Sequence, residues 1–232
     1  MTAPTRVALV TGGGRGIGRA SALALARRGL SVALLGKSRE NLDVTALLIE
    51  SAGSKAVAFS CDVADERAVE ETALAVIEQL GAPEVVVNAA GIVHRGPRVE
   101  QTPVASWDQV VAVNLRGPFL VARAFLPSML AAGRGRFVHV ASISSTIGCP
   151  NNASYAASKW GLVGLSKSMA EELRGTGLAS IAILPGSVDT EMLRGSGFDP
   201  QMTPEDVGST ITYLALDAPL AINGSAVEVF GP

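Results

Sequence analysis

The sequence predicts an α/β protein: a single domain over residues 1–232, built on a doubly wound, seven-stranded parallel sheet with helices on both faces. Three observations predict it. Short β-branched runs alternate six times with longer amphipathic stretches. Most of those runs are almost continuously apolar, as strands covered on both faces are. The first of them breaks into a glycine-rich turn, TGGGRGIG, that opens the first amphipathic stretch.

Taken in order, the expected strands are RVALVT (6–11), SVALL (31–35), KAVAFS (55–60), EVVVN (84–88), RFVHVAS (136–142), LASIAIL (178–184) and AVEVF (226–230). The expected helices fill 16–28, 39–52, 65–80, 103–132, 154–175 and 204–217. Pro103 after Thr102 reads as a helix start with proline in the first helical position. Gly53, Gly81, Gly133 and Gly177 stand where helices should stop. No Pro/Ser-rich linker, low-complexity tract or internal repeat divides the chain.

Composition excludes several function classes. Of 232 residues, 48% are hydrophobic, so a sizeable core is available and disorder is excluded. A net charge of −2 gives no reason to expect nucleic acid as a partner. No uninterrupted apolar run approaches the roughly 18 residues of a membrane span. The start, MTAPTRVALVTGGG, has too short an apolar run for a signal peptide, so a cytoplasmic protein without membrane association is expected. Cys61 and Cys149 stand in no paired spacing, and only His94 and His139 offer imidazole, so no metal is expected.

The turn Thr11–Gly18 sits between a strand and a helix. Glycines let backbone amides approach a pyrophosphate, and the helix N-terminus favours its charge. Its spacing is TGxxxGxG, with Gly12, Gly16 and Gly18, rather than GxGxxG; the bare alternative is a tight turn without ligand. Gly14, Arg15 and Ile17 complete the expected contacts. A dinucleotide fold usually places an acid about 20 residues further on, for the adenosine ribose. Here that place holds Gly36, then Lys37, Ser38 and Arg39. An acid would repel a 2′-phosphate; these residues and Arg15 would bind one, which favours NADP(H) and leaves NAD(H) open. The alternative is a solvated basic loop.

Two further loops follow strands three and four. In CDVAD, Asp62 is placed to accept from an adenine amino group with Val63 packing on the ring, although Asp62 taken alone reads as a turn or cap residue. In NAAG, Asn88, Ala89, Ala90 and Gly91 permit close approach of a ribose or nicotinamide, or form a plain tight turn. The stretch VASISSTIGCPNNASYAASK places Ser142 at the end of strand five and Tyr155 and Lys159 one helical turn apart. A free phenol, with a pKa near 10, is a poor proton donor or acceptor at neutral pH, and a nearby ammonium lowers it. YxxxK alone also reads as a surface pair on a helix.

Together, TGGGRGIG, Asp62, NAAG, Asn114, Ser142, YAASK and PGSVDT resemble the short-chain dehydrogenase/reductase family in order and spacing over nearly the whole chain. The branch most resembled is the single-domain Rossmann one that includes 3-oxoacyl-carrier-protein reductases. The resemblance implies that Tyr155 is the general acid for ketone reduction. It implies that Lys159 lowers its pKa and holds the nicotinamide ribose, that Ser142 steadies the substrate oxygen, and that Asn114 holds a water in a proton relay. It makes Pro185, Gly186, Val188 and Thr190 contacts of the nicotinamide half. Hydride delivery from NADPH to a carbonyl carbon is the implied reaction.

Candidate substrate contacts are His94, Ser144 and Met192, with His94 reading first as a loop residue at the rim and otherwise, with Arg95, as a partner for an acidic group or carrier phosphate. His139 reads as a packed core histidine. The segment after Thr190, EMLRGSGFDPQM, is shorter than the helical lid of many relatives, which points to an open cleft for an extended or carrier-bound substrate, or to a loop that folds on binding. Trp107 and Trp160 lie on helices that pair subunits in relatives, and surplus apolar residues there imply a homodimer or homotetramer. The leading function is therefore an NADPH-dependent ketoreductase for a 3-oxoacyl thioester. Its rivals are an NAD(P)-dependent dehydrogenase of a sugar, polyol, steroid or polyketide-type substrate, and an NADP(H)-sensing regulator, against which the complete catalytic set argues.

Overall fold

Continuous apolar segments become the strands of one sheet in the computed structural model, which describes residues 6–231. The strands are β1 (Val7–Thr11), β2 (Ser31–Gly36), β3 (Ala56–Ser60), β4 (Val85–Asn88), β5 (Gly135–Val140), β6 (Leu178–Pro185) and β7 (Ala226–Val229). All pairs are parallel, in the order β3-β2-β1-β4-β5-β6-β7. The chain order reverses between β1 and β4, so the loops after these strands diverge and open a crevice at the carboxyl edge. Register places Thr11 opposite Asn88 and Asn88 opposite His139 at that edge.

Helices α1 (Gly16–Arg27), α2 (Arg39–Ser51) and α7 (Pro204–Leu216) pack on one face through residues such as Leu25, Ile49 and Ile211. The other face carries α3 (Glu66–Leu80), α5 (Gly117–Ala132) and α6 (Ala153–Glu172), through Val76, Phe125 and Met169. Between α3 and α5 runs α4 (Val104–Val111). Local chemistry sets the starts: Asp65 accepts from the Ala68 N–H at α3, and Thr203 and Asp206 form a reciprocal capping box at α7.

The expected helix 103–132 is one helical run, but a π-turn at Ala112–Arg116 divides α4 from α5, and the Gly117 N–H reaches the Ala112 carbonyl. Pro103 is the cap residue, not the first helical one, with extended backbone at ψ 133°, and the Thr102 hydroxyl donates to the Arg98 carbonyl at 3.2 Å. The run Val104–Ala132 spans 29 residues and is long and apolar enough to cross a bilayer by length and composition, although Asp108, Arg116 and Arg123 interrupt it. Here Leu120, Val121, Phe125 and Met129 of that run are buried in the core. Strand five ends at Val140, two residues short of Ser142, which instead caps a 3₁₀ turn at Ile143–Ser145. Helix α6 ends at Glu172, and the chain turns through Gly175 and Gly177, both with positive φ, before β6.

Candidate active site

The glycine turn is built for close approach. Gly12 has φ +66°, and a Cβ there would stand 3.0 Å from the Ala90 backbone. A Cβ on Gly18 would stand 2.1 Å from the Gly12 carbonyl oxygen, so only glycine lets α1 start against the turn. Gly14 lies against Asn41 of α2, Gly16 beside Thr190, and half-buried Ile17 packs on the core. Arg15 precedes α1 without a side-chain cap on its first amides. That open, positive helix end fits a pyrophosphate. Thr11, which the sequence reading passed over, accepts from the Ala89 and Ala90 amides at 3.1 and 3.0 Å and ties the NAAG turn to β1. Its signal was a hydroxyl residue ending β1 level with Asn88.

At the end of β2, Gly36 opens onto exposed Lys37, and Ser38 caps α2 by accepting from the Asn41 amide. Each expected phosphate-binding cation already faces a carboxylate: Lys37–Asp62 at 3.0 Å, Arg39–Asp43 at 2.8 Å, and Arg15–Glu191. Such exposed pairs are worth about 0–1 kcal/mol each, so an incoming phosphate can displace them. Burial pushes the Asp62 carboxyl up, but the Ala64 N–H and the Lys37 ammonium outweigh this and hold it below the ordinary range. Asp62 thus shows the turn geometry that was its plainer reading. Val63 is buried against Gly117, whose Cβ would stand 2.8 Å from Val63 Cγ2, so its side chain also packs into the core.

The catalytic candidates converge beyond β4 and β5. A Cβ placed on Gly91 would lie 3.4 Å from Asn114 Oδ1, 3.5 Å from Lys159 Nζ and 3.9 Å from Met192 Cε. The π-turn carries Asn114 inward to full burial. Its Oδ1 accepts from the Ile92 amide at 2.8 Å, and its Nδ2 donates to the Ile92 carbonyl and to Ser158 Oγ. The side chain expected to hold a water is thus engaged as a clamp on the loop after β4. Pro185 ends β6, Gly186 donates to the Val229 carbonyl, Val188 is buried, and the Thr190 hydroxyl donates to the Val188 carbonyl. These place the PGSVDT segment along the same crevice.

Tyr155 is half-buried, and Lys159 is buried one turn later. Desolvation raises the Tyr155 phenol above its ordinary range; a hydrogen bond with Ser142 and the Arg95 charge oppose this without reversing it. The expected lowering by Lys159 does not outweigh that burial. Its Nζ donates to the Val140 carbonyl at 2.8 Å and stands 5.6 Å from the centre of the tyrosine ring. Burial lowers the Lys159 ammonium from 10.5 to about 8. Two of its three N–H donors have no protein partner among the described residues, which fits a pair of ribose hydroxyls.

His139 is fully buried, as expected, and faces Asn88 across the strands, Nδ1 to Nδ2 at 3.3 Å. Burial, and then the Lys159 charge, depress it from 6.5 to about 4. The unfolded chain therefore binds a proton below pH 6.5 that the folded protein refuses until about pH 4. Stability should fall by about 3 kcal/mol as pH drops through that window. Urea midpoints at pH 7 and pH 4.5 for wild type and His139→Asn check this; an unchanged pH slope in the variant defeats it.

An open cleft of about 430 Å³ adjoins the start of α6 and is lined by residues 93–97, Thr102, Pro103, Ser106, Asn151, Ala153 and Ser154. His94 is exposed on its rim. The Ser144 amide donates to Ser142 Oγ at 3.1 Å. Residues 191–197 form turns without a helix, and Arg95 bonds the Met192 and Arg194 carbonyls.

A hydride-transfer oxidoreductase is the class defined by this fold with these groups at its crevice. The chain belongs to the short-chain dehydrogenase/reductase family: residues 6–200 match the family described as short chain dehydrogenase. It is 36% identical over 98% of both chains to 2-(R)-hydroxypropyl-CoM dehydrogenase of Xanthobacter autotrophicus. It is 34% identical to a 3-oxoacyl-(acyl-carrier-protein) reductase of Synechocystis, over 100% of this chain and 98% of that one. Its fold matches a Beutenbergia cavernae protein assigned as an NAD(P)-dependent gluconate 5-dehydrogenase and solved with NADP at low occupancy, with TM-score 0.91, 35% identity, and 97% and 95% of the two chains covered. These relatives are named as dehydrogenases and reductases and differ in substrate.

Proposed function

We propose that the protein is an NADPH-dependent ketoreductase whose substrate is a 3-oxoacyl thioester. The observation that carries the catalytic part is the convergence of Ser142, Tyr155, Lys159 and Asn114 at one sheet edge. Lys37, Ser38, Arg39 and Arg15, with no acid at Gly36, support NADPH over NADH. The turn-only segment after Thr190 and the likeness to a 3-oxoacyl reductase support the thioester. A second reading, oxidation of a sugar-like or polyol alcohol, is favoured by the likeness to a gluconate 5-dehydrogenase.

In this reading the reduced nicotinamide, when bound, supplies hydride to the carbonyl carbon. Ser142 donates a hydrogen bond to the carbonyl oxygen as negative charge grows there. Tyr155, whose phenol is protonated at neutral pH as phenols ordinarily are and is pushed further up by burial, gives that oxygen its proton. Lys159 directs its free N–H donors to the ribose and orients the reacting ring. Asn114 positions Gly91 and Ile92 so that the crevice floor stays close to the cofactor. Exposed Val104, Trp107 and Phe119 on α4–α5 and Trp160 on α6 support a homo-oligomer.

The test is NADPH oxidation with acetoacetyl-CoA, repeated with NADH. Turnover at least tenfold better with NADPH is expected. No turnover in protein shown to bind NADPH would sink the thioester assignment, and equal use of NADH would sink the phosphate-binding role of residues 37–39.

A further inference from the structure

The cleft beside Tyr155 carries a sign of charge that the reaction itself does not require. Among its lining residues Arg95 carries a fixed positive charge, and none is an acid. Thr102, Ser106, Asn151 and Ser154 add hydroxyls and an amide, leaving Val93, Pro97, Pro103 and Ala153 as the larger apolar surface. An acyl tail alone would favour a predominantly apolar wall. The Gly96 amide donates to the Asn151 carbonyl, and just beyond it α6 begins at Ala153 with no side-chain cap, so its positive end adds potential of the same sign.

Arg95 differs from most arginines of this chain. Arg15, Arg28, Arg39, Arg67, Arg98, Arg116, Arg123 and Arg174 each face a carboxylate. Among the described residues none faces Arg95. Its guanidinium is nevertheless fixed: Nη2 donates to the Met192 carbonyl at 2.6 Å and Nη1 to the Arg194 carbonyl at 3.3 Å. Two of five N–H donors hold the lid segment; the others are left for a ligand. The Arg95 charge also acts on the Tyr155 phenol, opposing the upward push of burial. A planar cation anchored this way presents a fork suited to a carboxylate, sulfonate or phosphate.

We propose that Arg95 is a specificity residue: the carbonyl substrate carries an anionic group that docks in the 93–106/151–154 cleft against this guanidinium. The inference rests on the reading of the crevice as a ketone-reducing site, and it narrows the substrate to an anionic carbonyl compound. The anion is either the substrate's own acid group or a phosphate on a carrier arm.

Two matched pairs test it with wild type, Arg95→Met and Arg95→Lys. Acetoacetate is set against neutral ethyl acetoacetate, and acetoacetyl-CoA against the neutral thioester S-acetoacetyl-N-acetylcysteamine. Calorimetric affinity in the presence of NADP+ is measured beside KM, so the outcome does not depend on turnover. Loss of the two lid bonds weakens both members of a pair alike; the charged-to-neutral ratio isolates the anion. Arg95→Met is expected to weaken the charged member of one pair tenfold or more and its neutral partner less than twofold, with Arg95→Lys restoring part of the difference. Loss confined to acetoacetate identifies an acid beside the carbonyl; loss confined to acetoacetyl-CoA identifies the carrier phosphates. Ratios unchanged in both pairs, or no binding of either charged ligand, overturn the proposal. Charged ligands that bind through Arg95 but are never reduced would leave it standing and defeat the ketoreductase reading instead.

Discussion

Tyr155→Phe is expected to lower kcat/KM for carbonyl reduction by about 10³-fold, the contribution of a positioned general acid. The ring and its packing are retained, so NADPH affinity should change less than twofold. The pH dependence has a definite sign. Burial raises the Tyr155 phenol, so the proton donor is present throughout the neutral range, and reduction should fall only as pH rises through the phenol pKa. Oxidation of the product alcohol needs the deprotonated form and should rise over the same range. Steady-state kinetics in both directions check this. Retention of more than a tenth of wild-type kcat/KM by the phenylalanine variant would remove Tyr155 from the proton-transfer role.

Lys159→Met should act in opposite directions on activity and stability. Removing the ammonium that orients the ribose is expected to lower kcat/KM by about 10²-fold or more, the scale of a lost positioning contact. Yet that ammonium is buried, with its pKa lowered from 10.5 to about 8. The unfolded chain keeps its proton up to pH 10.5, whereas the folded protein releases it above about 8, so wild-type stability should rise with pH between the two. At pH 7 the charged form costs the folded state about 3 kcal/mol. Methionine removes that cost but leaves the Val140 carbonyl without its donor, a loss of about 1–3 kcal/mol. A net gain of about 1 kcal/mol at pH 7 is expected, turning to a loss of similar or greater size at pH 10.5. Chemical denaturation at both pH values decides it; a variant equally destabilised at both would show that Lys159 is not a buried charge in conflict with its surroundings.

What the sequence disclosed depends on how local the signal is. The strands were legible because most are almost continuously apolar, and the glycine turn because its place between β1 and α1 is a chain-neighbour relation. Tyr155 and Lys159 were legible because one helical turn fixes their spacing. Asn114 was different: on residues alone it is an unremarked polar position in a helix, and only family resemblance singled it out. Its inward turn depends on the π-turn and on a grip on Ile92, 22 residues away. The Lys37–Asp62 pair and the burial of Val63 depend on which loop the sheet order sets beside which, so the sequence offered the residues without their partners. Arg95 shows the same limit, since its bonds run to carbonyls 97 and 99 positions along the chain.

The π-turn also sets the indexing of the longest helical run. An α-helix advances about 100° per residue, so the surplus residue within Ala112–Arg116 offsets α4 from α5 by about that angle. Deleting one residue there would make the run uniform and swing the whole of Val104–Val111 round its axis. Trp107 and Val104 would leave the surface they now share with solvent, and Asn114 would turn away from Ile92. A regularised helix, the better helix by local propensity, would thus be the wrong part for this machine: its two halves must face different directions, and the irregular turn is what lets one continuous rod serve both.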